Sequence, residues 1–191
     1  DWKNENIATP SFIGLKQMTD YPLEEIRAYI DWTFFFSAWE IRGSYPKLLN
    51  NPTKGKAARE LFDNANQLLD MIIEDDLLQA NVAYGFWPAN VKNDEIILYK
   101  NEERIAELVR FNMLRQKKIK KGITLSLSDF IAPVDSKIKD YIGAFAVTAG
   151  INAKELSKKY EEENDDYNSI MVKTIADRLA EALAELMHQR V

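Results

Sequence analysis

The segment 165–188 reads DDYNSIMVKTIADRLAEALAELMH and decides the fold that we expect. Apolar side chains recur in it at intervals of three and four, which places them on one face of an α-helix; they are Tyr167, Met171, Ile175, Leu179, Ala182, Leu183 and Leu186. Interspersed alanines keep the flanks slim enough for close packing on more than one side. Asp165 and Asp166 precede the pattern, where a carboxylate can accept a hydrogen bond from a free amide. We therefore expect a packed central helix.

The composition is that of a globular chain of 191 residues. Hydrophobic residues make up 46%, with 7 glycines and 6 prolines, so we expect one domain over residues 1–191 with a core of its own. The formal net charge of -5 gives no general electrostatic reason to bind nucleic acid or an anionic membrane. Because the sequence contains no cysteine, it has no disulfides, thiolate metal sites or cysteine nucleophiles.

Targeting signals are also missing from the sequence. The longest apolar stretch, 141–151, is too short to cross a bilayer, and charged residues occupy the N-terminus at Asp1, Lys3 and Glu5 in place of a signal peptide. We therefore expect a soluble protein, and the lack of cysteine agrees with a cytoplasmic location. The sequence begins without methionine, from which we expect an excised or processed piece.

The remaining patterns predict an α+β fold with an antiparallel sheet and several packed helices, after an irregular lead-in over 1–21. Helical spacing predicts a helix from residue 23 into the aromatic run 31–39, and further helices over 53–73, 102–118 and 153–163. Asn101 is the predicted cap of the helix at 102–118. Branched and aromatic residues predict strands over 81–87, 94–99 and 141–148, a hairpin loop at 88–93 and an extended segment at 125–132. The strand at 141–148 is apolar on both faces, as in a central strand.

Asp31 is the best candidate for a ligand contact in the first half of the chain. It lies directly before an aromatic run, Trp32-Thr33-Phe34-Phe35-Phe36. We expect these rings to form a core segment, and the alternative is that they line a flat cofactor or nucleoside surface. A carboxylate buried among them would need a partner or a cationic ligand, because an isolated buried charge is costly.

Motifs for common chemistry do not occur in the sequence. There is no glycine-rich phosphate loop, no Gly-x-Ser-x-Gly string and no His-Glu-x-x-His string. We interpret the single histidine, His188, as a solvated surface residue, and the alternative is a role as a ligand or a base. Asp177, Glu181 and Glu185 form a column of carboxylates at helical spacing, which is typical of a solvated face. The residues alone therefore describe an α+β domain without a stated function.

A run of cations closes the helix predicted at 102–118; it comprises Arg115, Lys117, Lys118, Lys120 and Lys121. Its simplest interpretation is a solvated helix end, where cations suit the negative end of the helix dipole. The alternative is a docking patch for an acidic partner.

Four blocks of the sequence, in this order, resemble the activation domain at the C-terminal end of cobalamin-dependent methionine synthase. The first is Tyr29-Ile30-Asp31-Trp32-Thr33 with Phe35 and Phe36, and the second is Pro88-Ala89-Asn90 after Phe86. The third reads DYIGAFAVT over 140–148. The fourth lies in the C-terminal helix and contains DDYN (165–168), IMVK (170–173) and ADRLAE (176–181). The resemblance covers nearly all of this chain but only a little more than the first half of the family domain.

The resemblance implies a function that the spacing of residues does not. A domain of this family binds S-adenosylmethionine and supports the reductive methylation of inactive cob(II)alamin to methylcobalamin, which reactivates an enzyme of methionine biosynthesis. Asp31 matches a family aspartate that contacts S-adenosylmethionine, and Glu181 matches a glutamate that also lies at the ligand. The implied partners are a cobalamin-binding domain, which holds the cobalamin, and a reductant such as flavodoxin. The domain itself positions the reactants, so no catalytic residue is implied.

One departure from the family pattern limits these implications. The family's main ligand-binding motif, Arg-x-x-x-Gly-Tyr, and a later tyrosine that closes over the ligand lie beyond the matched region. We therefore expect a truncated activation domain that keeps one wall of the site, binds S-adenosylmethionine weakly or not at all and is inactive by itself. The alternative function is a non-catalytic module that docks on the cobalamin domain or on flavodoxin without touching S-adenosylmethionine.

Overall fold

The computed structural model describes residues 2, 5–117 and 122–191, which form two compact units. The sheet unit comprises Asp1–Lys16 and Ala83–Phe145, and the helical unit comprises Gln17–Val82 and Ala146–Val191. The helices and strands follow one another in this order: β1 (Gly14–Met18), α1 (Leu23–Arg27), α2 (Trp32–Ala38), α3 (Gly55–Glu74), β2 (Gln79–Lys92), β3 (Glu95–Tyr99), β4 (Glu107–Asn112), β5 (Asp140–Ile151), α4 (Ala153–Glu162) and α5 (Asp166–Arg190). That residues 1–191 form one domain stays a prediction.

The strands confirm the predicted fold class. They are ordered β1-β2-β3-β4, with β5 paired to β2, and the β2–β3 and β3–β4 pairs are antiparallel. In the part of the chain that the structure describes, no helix combines the length and the apolar character needed to cross a membrane.

Helix α5 is the packed central helix that the sequence predicts. It begins after Asp165, whose side chain accepts a hydrogen bond from the Asn168 amide at 3.0 Å. Helices α1, α2, α3 and α4 all pack against it, and its buried residues include Met171, Ile175, Leu179, Leu183 and Leu186. The alanine-lined flank of α5 is also packed closely, by the end of β5. A Cβ placed on Gly150 would lie 2.5 Å from the Cβ of Ala176. Only residues without larger side chains allow this approach.

The first predicted helix is divided into α1 and α2, and Asp31 forms the N-cap of α2. Its Oδ1 atom accepts a hydrogen bond from the Thr33 amide at 2.8 Å. Asp31 is exposed, so the expectation of a buried carboxylate is wrong. The reason is that a capping side chain stands at the open end of the helix, while the aromatic core forms one turn later around Phe35 and Phe36.

The turn between β2 and β3 is tighter than the predicted hairpin loop at 88–93. Strand β2 continues through Pro88, and Lys92 pairs with Glu95, so the loop contains only Asn93 and Asp94. Both residues have positive φ, 52° and 62°, which is typical of a type I′ turn. The prediction that the strand ends at Pro88 is wrong, because a strand can contain proline where no ladder hydrogen bond from its nitrogen is required.

The predicted helix at 102–118 is also wrong. Strand β4 lies within this segment and pairs with β3 in the register Ile96↔Phe111 and Leu98↔Val109. Asn101, the predicted cap, instead accepts a hydrogen bond through its backbone oxygen from the Arg104 amide at 3.2 Å, in a turn. Pairing with a distant strand satisfies the backbone of 107–112, and helical spacing within the segment does not report such pairing.

Two further segments differ from their predictions. In place of the extended segment at 125–132, a 3₁₀ turn covers Leu127–Phe130 and begins with a capping box, in which Asp129 accepts a hydrogen bond from the Ser126 amide at 2.9 Å. Strand β5 confirms the strand predicted at 141–148. The prediction that this strand is buried on both faces is wrong, because residues 143–146 are exposed. Apolar composition alone does not ensure burial. Strand β1 lies in the lead-in that was predicted to be irregular.

Candidate functional site

A cavity of about 510 Å³ lies in the helical unit between the α1–α2 junction and α5. Its volume falls in the range of roughly 300–1,000 Å³ that is usual for small-molecule sites. The side chains that line it are Tyr29, Asp31, Phe34, Arg178, Glu181, Ala182 and Glu185. The structure therefore brings together Asp31 and Glu181, which lie 150 positions apart in the sequence. Their role as ligand contacts stays a prediction.

The Asp31 side of the cavity is held by short-range structure. The cap on α2 uses Oδ1 of Asp31 and so fixes the carboxylate at the start of the helix. Two residues earlier, the Tyr29 hydroxyl donates a hydrogen bond to the side chain of Gln189 near the end of α5. The α1–α2 junction is thereby tied to the helix that forms the opposite wall.

The Glu181 side of the cavity is a ridge of α5. Glu181 and Glu185 are one turn apart and both exposed. Between them Ala182 and Leu183 are buried at 1% and 0% exposure and anchor the helix in the core. This packing fixes the backbone from which the two glutamates project, one helical turn apart on the same face.

Arg178 is the one cation among the lining residues. Its side chain is only 16% exposed and forms an ion pair with Asp177. Its guanidinium carbon lies 5.9 Å from the centroid of the Phe34 ring, within the range of a cation–π contact. Arg178 therefore links the α2 wall to the α5 wall.

The charges of the lining residues are unbalanced. Three carboxylates, those of Asp31, Glu181 and Glu185, face one guanidinium, which already has Asp177 as a partner. A concave surface lined with one sign of charge raises the local concentration of the opposite ion. The cavity therefore favours a ligand that carries positive charge.

Several lining residues were not singled out as site residues from the sequence. Tyr29 and Phe34 flank Asp31, while Arg178 and Glu185 lie three residues before and four after Glu181. Helical spacing around the two predicted residues would have found the last two, because positions i-3 and i+4 share a helix face. Nothing local indicates that α2 and α5 face each other.

The structure shows where the predicted carboxylate column and the single histidine lie on α5. Glu181 and Glu185 line the cavity, whereas Asp177 pairs with Arg178, so the column is more than a solvated face. His188 is exposed on the last turn of α5, as predicted. Within residues 2, 5–117 and 122–191, no group of three or more acidic, histidine or cysteine side chains could hold a metal ion.

The predicted docking patch loses its first member. Arg115 donates hydrogen bonds to the carboxylates of Asp94 and Asp129, the latter at 2.7 Å, and to the Thr124 carbonyl. These bonds from Arg115 hold the pKa values of Asp94 and Asp129 below their usual range. Strand β4 lies where a helix was predicted. The interpretation of the run of cations as a solvated helix end is therefore wrong as well. Lys117 is exposed, and Lys118, Lys120 and Lys121 lie outside the described residues.

Comparisons with known proteins agree with the resemblance seen in the sequence. The sequence model of the family described as "Vitamin B12 dependent methionine synthase, activation domain" matches residues 22–191. A crystal structure of the MetH reactivation domain bound to AdoHcy is similar to this chain, with a TM-score of 0.95 and 41% sequence identity. The similarity covers 100% of this chain and 59% of the solved chain.

Proposed function

The chain belongs to the family of vitamin B12-dependent methionine synthase activation domains, and from this we propose that its cavity binds S-adenosylmethionine to support reactivation of the enzyme. The observation that carries the proposal is the convergence of Asp31 and Glu181 on one cavity. A related solved domain has AdoHcy bound, the demethylated form of the same molecule. The location we propose is cytoplasmic.

Electrostatics supports a cationic ligand of this kind. S-adenosylmethionine has a sulfonium, an ammonium and a carboxylate, so its net charge is positive. The excess of carboxylates over guanidinium in the lining matches that charge, because opposite charges at short range attract most strongly where water is partly excluded. The apolar walls, Phe34 and Ala182, suit the uncharged part of the ligand.

In the complete enzyme that we propose, a flavodoxin-type reductant would supply one electron to cob(II)alamin held on a partner domain, and the reduced cobalamin would take the methyl group from the sulfonium, with S-adenosylhomocysteine as the leaving group. The residues of this chain would bind and orient the methyl donor. Holding the reacting groups in position is a large part of the work in such a reaction. We therefore assign Asp31 and Glu181 to ligand binding. We assign a catalytic role to none of the described residues.

We expect the 191-residue chain to bind S-adenosylmethionine weakly. The Arg-x-x-x-Gly-Tyr motif of the family lies outside these residues, and the chain spans 59% of the related solved chain. A site that lacks part of its lining buries less of its ligand than a complete site, and affinity falls accordingly. Calorimetry that found tight binding to this chain would contradict the description of an incomplete site.

The test is a titration of the ¹⁵N-labelled chain with S-adenosylmethionine, followed by amide chemical shifts. We expect the shifts to concentrate around Tyr29, Asp31 and Glu181, and to vanish in the double variant Asp31→Asn/Glu181→Gln. Asp63→Asn, which removes an exposed carboxylate from α3, is the matched control and should leave the titration unchanged. Shifts spread over both units, or equal in the double variant, would refute the assignment.

The second candidate function, docking without S-adenosylmethionine binding, now depends on fewer residues. Arg115 is engaged by Asp94 and Asp129, so a patch for an acidic reductant would have to consist of the lysines. Reversing the charges of Lys117, Lys118 and Lys121 should then weaken the association with flavodoxin and make that association depend less on salt concentration. Unchanged association of that triple variant would remove this candidate.

A further inference from the structure

Helix α2 has three consecutive phenylalanines in very different surroundings. Phe35 and Phe36 are 1% and 0% exposed and belong to the core, whereas Phe34 is 63% exposed. The helix is therefore anchored by two of its rings, and the third is not needed for that purpose. An aromatic ring left in water next to a cavity is a feature that core packing does not account for.

Phe34 is held at the cavity rather than placed on an open surface. It lines the cavity together with Asp31, three residues earlier, and Glu181 on the opposite wall. The Arg178 guanidinium lies over its ring at 5.9 Å, and Arg178 is itself mostly buried and paired with Asp177. The position of the ring is thus supported from α5, while most of its surface stays accessible.

We propose that Phe34 is the surface on which the adenine of the ligand stacks, an inference that rests on the proposed function. Phe34 lies on α2 one turn after Asp31, the N-cap of that helix, so the carboxylate can meet a cationic end of the ligand while the ring meets its flat nucleobase. Purines stack well on phenylalanine because both have a π-face, and no hydrogen-bond pattern is needed. Phe34 thereby selects for a nucleoside-bearing sulfonium over a simple sulfonium amino acid.

The variants that test this inference should keep the fold. Phe34 is mostly exposed, so Phe34→Leu keeps an apolar side chain without a π-face and leaves the core contacts of Phe35 and Phe36 in place. Phe34→Tyr keeps the ring and is the matched control. An unchanged amide spectrum away from the cavity checks that both variants are folded.

The experiment compares two ligands by NMR: S-adenosylmethionine, and S-methylmethionine, which has the sulfonium amino acid without the nucleoside. We expect upfield ring-current shifts of the adenine protons on binding to the native chain and to Phe34→Tyr. Phe34→Leu should lose those shifts and bind S-adenosylmethionine about five- to a hundredfold more weakly, the range expected for one stacked base. Its affinity for S-methylmethionine should be unchanged.

The failures of the inference and of the proposed function are distinguishable. If S-adenosylmethionine shifts the amides around Asp31 and Glu181 equally in the native chain and in Phe34→Leu, stacking is wrong and the proposed site stands. If Phe34→Leu weakens both ligands alike, the ring shapes the cavity and does not select the nucleoside. If S-adenosylmethionine shifts no cavity amide in the native chain, both proposals fall together.

Discussion

Helix α5 and the segment 102–118 have the same kind of pattern in the sequence and opposite structures. Both place apolar residues at helical spacing behind a polar residue that can cap. In α5 the apolar residues of this pattern, except the exposed Tyr167, are buried in a helix that packs against four other helices. In 102–118 the stretch 107–112 is strand β4, and all six of its residues are exposed. The difference shows that an apolar stripe specifies a helix only where a surface exists for it to pack on.

What holds β4 in place comes from elsewhere in the chain. Its backbone pairs with β3, and Arg110 forms an ion pair with Glu95 of β3 at 2.9 Å, in addition to one with Glu107 of β4 itself at 2.5 Å. The hydrogen bonds that Glu107 accepts from Arg110 hold the pKa of Glu107 below its usual range. The contacts with β3 depend on which strands become neighbours, so a pattern within one segment does not predict them.

The strongest test of the comparison between α5 and β4 is the same substitution, leucine to alanine, made in each of them. Leu179→Ala in α5 removes a side chain with 0% exposure, and Leu108→Ala in β4 removes one that is 48% exposed. We expect Leu179→Ala to lower the free energy of unfolding by about 2–5 kcal/mol, because it leaves a cavity in the core. Leu108→Ala should cost about 1 kcal/mol or less.

Urea denaturation measures both variants. The dependence of the unfolding free energy on urea concentration should stay constant, so that the midpoints report stability directly. Equal losses in the two variants would mean that β4 packs on something as extensive as the core of α5, which would break the comparison.

A smaller effect is expected from the ion pairs that follow β4. Arg115→Gln removes the partner of Asp94 and Asp129, and it should lower the melting temperature at pH 7 by less than Leu179→Ala does. The folded-state pKa values of both aspartates are below their usual range, so the stabilisation is complete above the ordinary aspartate pKa of about 3.9. It is lost as the pH falls through the folded-state values. The difference between native chain and variant should therefore shrink in acid.

Thermal unfolding followed by circular dichroism between pH 7 and pH 2.5 measures this difference. Arg42→Gln removes an exposed charge from the helical unit and is the control for the change of net charge. Parallel pH profiles for the native chain and Arg115→Gln would show that Arg115 does not stabilise the two carboxylates in the folded state.

The same contrast explains how much of the molecule the sequence predicts. The α5 helix and its core residues Leu179 and Leu183 follow from periodicity, and the cap follows from the position of Asp165 before the pattern, because other helices do supply the surface on which the apolar face packs. The four-block resemblance supplied the family and the pair Asp31 and Glu181, which periodicity would not have joined. The exposed capping role of Asp31 was missed, because aromatic neighbours suggested burial while the helix start imposed exposure.

The rest of the cavity depends on two helices facing each other. Phe34, Arg178 and Glu185 become neighbours only when α2 packs on α5, and no local pattern encodes that contact. The partial exposure of Phe34 is likewise a property of the packed helices, since the sequence presents it identically to Phe35 and Phe36.

The smallest effect that we predict concerns the residues expected to cap α5 and the helix predicted at 102–118. The structures of the two segments first differ at these residues. Asp165 caps α5, whereas Asn101, a residue type equally suited to capping, lies in a turn before β4. Asp165→Ala should lower the melting temperature by a few degrees at pH 7, because the Asn168 amide loses its acceptor. Asn101→Ala should change it less, since the bond there is accepted by the backbone.

The pH dependence of the Asp165 variant separates capping from a general loss of charge. The hydrogen bond from the Asn168 amide holds the pKa of Asp165 below its usual range, so its contribution is present at neutral pH and disappears as the pH falls through that lowered value. Asp165→Asn keeps an acceptor without a titrating group, so it should retain most of the stability and show a flatter acid limb than the native chain. If Asp165→Asn and Asp165→Ala melt together at pH 7, the start of α5 is set by packing alone. The helix would then differ from β4 only in the surface available to it.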